Sequence, residues 1–356
     1  MTPPSPFDPS AAAQPGSGIF GLPHSEAEAG VVLVPVPFEA TTSYGGGTSR
    51  GPAAILEASR QVDLLDVETG RPYQAGIHML PLPARVLALD AAAREDAAAV
   101  IAAGGADPAR PELRAAAARV NAASREVHAW VEAEVERLLR AGKRVGVVGG
   151  DHSVAFGSIA AHARAHPGLG LLHLDAHCDL RDAYEGFEHS HASVLRNVME
   201  RVPGVARLVQ VCIRDVSDEE VEYVGRSAGR IVVHHDATLA AARFEGEPWA
   251  AQVRRVLEPL PRDVYLTFDV DGLDPSLCPH TGTPVPGGPS FQEACALVAG
   301  VVRSGRRIVG LDLVEVTPGP GGDAWDANVG ARLLYKMIGW MLRSQEGAAP
   351  GAPPDR

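Results

Sequence analysis

The stretch LLHLDAHCDL, residues 171–180, sets Asp175, His177 and Asp179 on alternate positions directly after an apolar run. Carboxylates and imidazoles are ligands for hard and borderline divalent cations. In an extended chain the side chains at i, i+2 and i+4 fall on one face, so an extended 175–179 would turn three ligand groups towards one point. A single triplet of this kind is equally well explained as a polar strand end facing water; its recurrence decides. GVVGGDHS places Asp151 and His152 after a second apolar run, TFDVDGLDP places Asp269 and Asp271 two apart after a third, and LDLVEVTPG puts Asp312 and Glu315 at the end of a fourth. Together His152, Asp175, His177, Asp179, Asp269 and Asp271 offer two imidazoles and four carboxylates. That much negative charge stays together only if cations neutralise it, which predicts two divalent metal ions. Mixed carboxylate and imidazole ligands without thiolate favour Mn²⁺, with Ni²⁺, Co²⁺, Fe²⁺ or Zn²⁺ as alternatives. Cys178 is expected on the opposite face as a packing thiol, His173 as a hydrogen-bonded core histidine, and Asp274 as the cap of a turn before Pro275.

The elements that must carry these residues are short β-branched runs at 31–37, 144–150, 169–176, 207–213, 230–235, 264–270 and 307–316, separated by helix-length segments. Near-continuous apolar strands alternating with helices predict a mainly parallel sheet covered on both faces, a three-layer α/β/α sandwich. In such sheets ligands bind beyond the carboxyl ends of the strands, where all four motifs lie. The expected organisation is a disordered lead-in at 1–18, one domain over 19–343, and a disordered tail at 344–356, the ends being Pro-, Gly- and Ala-rich without periodicity. The Ala-rich stretch at about 85–117 predicts peripheral helices and a helical insertion.

Composition narrows the function. A net charge of -12 argues against nucleic acid or an anionic membrane as partner, since both reward clustered Lys and Arg. Four scattered cysteines with no C-x-x-C pair fit neither a disulfide framework nor a structural zinc site, and point to a reducing cytosol. GGGTSRGP at 45–52 lacks the Lys and spacing of a phosphate-binding loop.

GGDHS, DAHCD and FDVDGLDP, in this order, resemble the motifs of the binuclear-metal ureohydrolases: arginase, agmatinase, formiminoglutamase and their relatives. The resemblance extends to TTSYGGGTSRGPAAILEAS (41–59) and GLDLVEVTPG (310–319), so it spans roughly residues 30–342. It departs at Cys178, at the Ala-rich segment, and at EHSHASVLRN (188–197), where many relatives carry a His-Gly step. The resemblance implies that His152, Asp175, Asp179 and Asp269 hold one metal while His177, Asp175, Asp269 and Asp271 hold the other, with Asp175 and Asp269 bridging. It further implies that Asp179 aims the nucleophile, that His191 (with His189 as second candidate) moves the proton, and that Glu315 pairs with a guanidinium. A guanidinium is a poor electrophile, with a pKa of about 13.8 in arginine, and a metal that lowers the pKa of water from about 15.7 towards about 7 answers that difficulty.

The expected function is therefore hydrolysis of a guanidino compound to urea and an amine, agmatinase-type. Hydrolysis of free guanidine, whose branch the N-terminal run also resembles, and of a guanidino acid or arginine are the alternatives. Arg181 stands where arginases carry a neutral Asn, and is a candidate for sorting substrates by the charge of their tails. Relatives form homotrimers or homohexamers, which is the expectation by resemblance. A single-zinc deacetylase of the same fold would leave His177 and Asp271 without purpose, and a metal-stabilised binding protein would release no urea.

Overall fold

The computed structural model describes residues 7–345; of the ends expected to be disordered, 1–18 and 344–356, residues 1–6 and 346–356 lie outside that range, whereas Ser344 and Gln345 close the last helix and bond to the Ile308 carbonyl. Residues 7–18 are irregular but not detached: the Ser17 carbonyl accepts from the Arg60 guanidinium, and Phe7 lies against the Tyr73 ring. The chain then runs β1 (Val31–Val36), α1 (Gly51–Ala58), β2 (Ile77–Met79), α2 (Ala84–Ala102), α3 (Pro111–Arg140), β3 (Arg144–Gly149), α4 (Ala155–Ala165) and β4 (Leu169–Leu174). There follow α5 (Val194–Arg201), β5 (Val205–Ile213), α6 (Asp218–Arg226), β6 (Ile231–His235), α7 (Asp236–Phe244), α8 (Trp249–Leu257), β7 (Asp263–Asp269), α9 (Phe291–Arg303), β8 (Arg307–Val314) and α10 (Trp325–Gln345).

Eight strands form one sheet in the order β2-β1-β3-β8-β7-β4-β5-β6, and every pairing is parallel. All seven apolar runs marked by the sequence are strands. β2 was not among them, because three residues at a sheet edge carry no usable periodicity. Burial follows strand alternation: in β1, Val31 and Leu33 join the core beneath one helical layer, while Val32, Val34 and Val36 join the core beneath the other. The first layer holds α1 and α7 to α10, and the second α3 to α6. Helix α2 packs on α3, so the Ala-rich stretch is one arm of a helical hairpin laid outside the second layer.

Parallel strands deliver their carboxyl ends to one edge, and close approach there is bought with glycine. A Cβ on Gly150, just after β3, would lie 2.0 Å from the Phe38 carbonyl oxygen, backbone against backbone. Gly150 is also tied by its N–H to Val36 and by its carbonyl to the Glu315 N–H, so it cannot move aside. Gly150→Ala is expected to cost about 1–3 kcal/mol of overpacking, read as a lowered urea denaturation midpoint; an unchanged midpoint would show that this edge is softer than its contacts imply.

Candidate metal centre

Strands β3, β8, β7 and β4 are consecutive in the sheet, and the four chemistry-bearing motifs emerge from their carboxyl ends. Behind β3, Asp151 caps the turn at 152–154 by accepting the Ser153 N–H, and its other oxygen accepts from the N–H and hydroxyl of Thr41. This presents His152 inward. Behind β7, the Asp269 carboxylate accepts the Asp271 N–H at 2.8 Å and caps the next turn, so both carboxylates of the pair face the same side.

Behind β4 the geometry differs from the extended chain expected for Asp175, His177 and Asp179. The strand ends at Leu174, and Asp179 has a left-handed backbone with φ 56°. Its carbonyl is turned to accept the Leu195 and Arg196 N–H groups at the start of α5, which accounts for the unusual conformation. The three residues converge through a shaped loop rather than through strand alternation. Glu315, just after β8, is likewise left-handed at φ 64°, held by its N–H to the Gly150 carbonyl and its carbonyl to the Thr281 hydroxyl. A non-glycine residue in this region costs of order 1–3 kcal/mol, and here two such residues sit in one site.

The His152 Nδ1 lies 3.1 Å from Asp175, 3.0 Å from Asp179 and 3.5 Å from Asp269. Its Nε2 is 2.8 Å from the Thr267 hydroxyl, which donates to Asp312. Thr267 can then only accept from His152, so the neutral ring carries its proton on Nε2 and directs the bare Nδ1 lone pair at three carboxylates. His177 Nδ1 lies 3.0 Å from Asp271 and 3.4 Å from Asp175. Asp175 spans both histidines, with Oδ2 towards His152 and Oδ1 towards His177. It is oriented by His173, whose Nε2 sits 2.8 Å from Oδ2 while Nδ1 meets the Gln210 amide. His173 is thus a core histidine behind the site, as its place in the strand suggested.

The electrostatics are those of a site short of positive charge. Burial, then Asp175, push Asp179 up to about 7. Burial, then the neighbouring Asp271 and Asp175, hold Asp269 well above the carboxylate range. Burial opposes charge on His177, yet Asp271 and Asp175 drive it up to about 12. Groups that gather protons this strongly without a metal are those a divalent cation displaces protons from. Two donor groups fit the ions: His152, His173, Asp175 and Asp179, with Asp269 3.5 Å from His152, and His177, Asp175 and Asp271, with Asp175 common to both. Cys178 is buried with Ile159 and Leu195 on the far side, its thiol held protonated by burial.

A pocket of about 160 Å³ opens beside these groups, lined by His177, Asp179, His191, Arg181, Tyr184 and Thr283. The His191 N–H donates to Thr41 at 3.1 Å, and burial, then the charge on His177, bring its ring down to about 4, leaving it neutral near pH 7. Arg181 lies over the Tyr184 ring at 5.0 Å, and its neighbour Asp182 pairs with Arg196 at 3.2 Å. Glu315 gives one oxygen to the His152 N–H at 2.9 Å, and no arginine pairs with it among the described residues. The structure does not bring His189 to this pocket. Its ring is buried against His128 with centroids 5.2 Å apart, because the turn capped by Ser190 sends residues 189 and 191 to opposite sides.

Sequence reasoning passed over Arg214, which follows β5 at the same edge. Its guanidinium donates to the carbonyls of Cys212, Asp271, Gly272, Leu273 and Val285, stapling the Asp271 turn to the 278–288 loop. Its position immediately after a strand was the available signal. Asp215, exposed on the pocket rim, was missed too, as was Glu220, whose buried carboxylate accepts the Leu180 and Ser217 N–H groups.

If Asp175 serves both ions, Asp175→Ala should lose more than one metal equivalent, and Asp269→Ala likewise, whereas His177→Ala should lose about one. Elemental analysis of purified protein measures this, and two full equivalents in Asp175→Ala would rule out a shared ligand.

Residues 29–339 match the sequence pattern of the arginase family. The chain is 34% identical over 327 residues to the N(1)-aminopropylagmatine ureohydrolase of Thermus thermophilus, covering 90% of this chain and 94% of that one. It is 32% identical over 211 residues to the guanidinobutyrase of Pseudomonas aeruginosa, covering 58% and 64%. Among solved structures, agmatine ureohydrolase of Thermoplasma volcanium superposes with a TM-score of 0.68 at 23% identity, over 90% of this chain and 92% of that one. With the match running through every strand of the sheet and every residue that faces the two donor groups, the chain belongs to the arginase family.

Proposed function

We propose that this protein is a ureohydrolase of the agmatinase type, cleaving a guanidino compound to urea and an amine at a centre of two divalent ions, Mn²⁺ first among them, in the cytosol and as a homotrimer or homohexamer. The observation that carries the reading is the pair of donor groups sharing Asp175, set beneath a pocket with a neutral histidine on its wall. Membership of a family of named ureohydrolases supports it. Nothing in the charge favours nucleic acid, and no helix among the described residues is long and apolar enough to cross a membrane.

His152, Asp175, Asp179 and Asp269 would hold one ion, and His177, Asp175, Asp269 and Asp271 the other. When bound, the pair supplies Lewis acidity and a water acidified to a nucleophile at neutral pH. The chain's own residues do the rest. Glu315, with one oxygen fixed by the His152 N–H, is held well above the usual carboxylate range by burial and then by Asp269, and an entering guanidinium would supply the positive charge that lets it ionise and pair. Asp179, held in its strained backbone, accepts a hydrogen bond from the water and fixes its line of approach to the planar carbon. His191, neutral and within the pocket wall, takes the proton released as water adds and passes it to the departing nitrogen. His191→Ala should keep both metals and the fold but lose roughly 10²–10⁴ in kcat, with His189→Ala far milder; full turnover in His191→Ala would assign the proton transfer elsewhere.

A second reading concerns the tail of the substrate. Arg181 lines the pocket and makes no ion pair among the described residues, so its cation is free to meet the far end of a bound substrate. That favours a guanidino acid, or free guanidine with no tail, over agmatine with its ammonium, by roughly 1–4 kcal/mol for charges about 4 Å apart. Asp215, exposed on the same rim, favours the ammonium, whereas the buried Glu220 carboxylate is already taken up by the Leu180 and Ser217 N–H groups. Urea release from agmatine, guanidinobutyrate and guanidine by wild type and Arg181→Ala separates these. If Arg181 sets the preference, agmatine gains in kcat/KM relative to the other two; an unchanged ratio returns the choice to the acidic rim.

A further inference from the structure

Two of the loops that reach the pocket rim are fastened from outside the site by the same helical hairpin. The first, residues 39–49, carries Ser43 on the pocket wall and Thr41, which receives the His191 N–H. Its hub is Glu39, 2% exposed. One oxygen of that carboxylate accepts the N–H of Gly47 at 2.7 Å, the N–H of Ser49 at 2.8 Å and the hydroxyl of Thr48 at 3.3 Å. The other oxygen meets the guanidinium of Arg94 on α2 at 2.6 Å, and the Glu39 N–H donates to Asp90, one turn earlier on α2, at 2.7 Å. Between the loop and α2 lies a cavity of about 430 Å³ lined by Glu39, Thr42, Gly45, Arg94, Glu95 and Ile101. Packing does not close that gap, so the polar tie from Arg94 and Asp90 is what spans it.

The second loop, residues 185–191, carries His191. Asn121 of α3 accepts the Glu188 N–H at 2.8 Å and donates to the Gly186 carbonyl at 3.2 Å. From the hairpin turn, the Ala106 N–H donates to the Glu185 carbonyl at 3.0 Å, and a Cβ on Gly186 would strike Ala106. Glu185 is itself left-handed, at φ 54°.

We infer that the α2–α3 hairpin is a brace for the active-site rim, in which Arg94 and Asp90 are positioning residues for the 39–49 loop through Glu39, and Asn121 is a positioning residue for the 185–191 loop that presents His191. This deepens the hydrolase reading and rests on it for the kinetic consequences alone; the mechanical claim stands on the ties themselves. None of the three residues lines the reaction pocket, and Arg94, whose side chain is 50% exposed, is replaceable without opening the core. Loss of Arg94 leaves a buried Glu39 oxygen without its cation; the carboxylate then turns towards the gap beside it, and the loop amides lose a fixed acceptor.

The test uses the metal-loaded protein with hydrogen exchange read by mass spectrometry, without substrate. In Arg94→Ala, amides in 41–49 should exchange about tenfold faster while those in 185–191 keep their wild-type rates. Arg94→Lys should recover part of the protection. Asn121→Ala should show the reverse pattern, and Asn121→Asp, which retains the acceptor for Glu188, covers the case in which Asn121→Ala does not fold. With whichever guanidino compound releases urea, Arg94→Ala should raise KM about fivefold or more with kcat within twofold, and the Asn121 variant should lower kcat with metal content unchanged. Wild-type exchange at 41–49 in Arg94→Ala, or equal acceleration of both loops, overturns the brace. If no compound is hydrolysed, exchange alone decides, so failure of the brace and failure of the hydrolase reading remain distinct.

Discussion

Four buried carboxylates and two imidazoles facing one another are the constraint from which the rest of the structure follows. Such a cluster repels itself unless cations enter, and burial raises the penalty further. Every nearby oddity makes sense as restraint against that repulsion. Thr267 and Asp312 fix the proton of His152 on the far nitrogen; His173 and Gln210 hold Asp175 from below; Arg214 fastens the Asp271 turn through five carbonyls. The left-handed backbones of Asp179 and Glu315 persist because the α5 amides and the β3 edge over-determine them. Strain is placed where the side chains must be fixed before anything binds.

The sheet supplies the coarse convergence. Parallel order β3-β8-β7-β4 brings four strand ends side by side at one edge, though the strands are far apart in the chain. Convergence from strand ends alone is accurate only to several ångströms, and the turns beyond them do the final aiming. Asp151 and Asp269 each use a carboxylate oxygen to cap the following turn, which sets the direction of the next ligand. Acidic residues here serve the backbone and the site together.

These two levels were unequally legible in the sequence. The strands were legible because buried parallel strands are nearly continuous β-branched runs; β2 was not, being three residues long at the sheet edge. The site's six clustered residues were legible by type and by their place after those runs, yet the alternation first invoked for Asp175, His177 and Asp179 is not the geometry that unites them. His189 and His191 share a motif and a spacing of two, and only the Ser190 cap separates their destinations. Asn121 and Arg94 were not legible, because each acts on backbone groups or a carboxylate distant in the chain and a lone Asn or Arg on a helix has no local pattern; Arg214 offered only its place after a strand.

The separation between centre and rim has a further consequence for how such a site can change its substrate. The centre is buried, so the guanidinium carbon and its nitrogens are handled where dielectric is low and each interaction is strong. The rim, with Arg181 and Asp215, lies nearer water, where charges are screened and single substitutions shift preference by modest amounts. Ser43 and His191 sit on loops whose anchors, Glu39 and Asn121, reach away from the centre towards α2 and α3. A change in rim shape or charge therefore need not disturb the carboxylate cluster. Conversely, a change at the hairpin reaches the rim without touching a group that meets the substrate. The Ala-rich segment, read from sequence as peripheral helices, is in this way tied to the rim through Arg94 and Asp90.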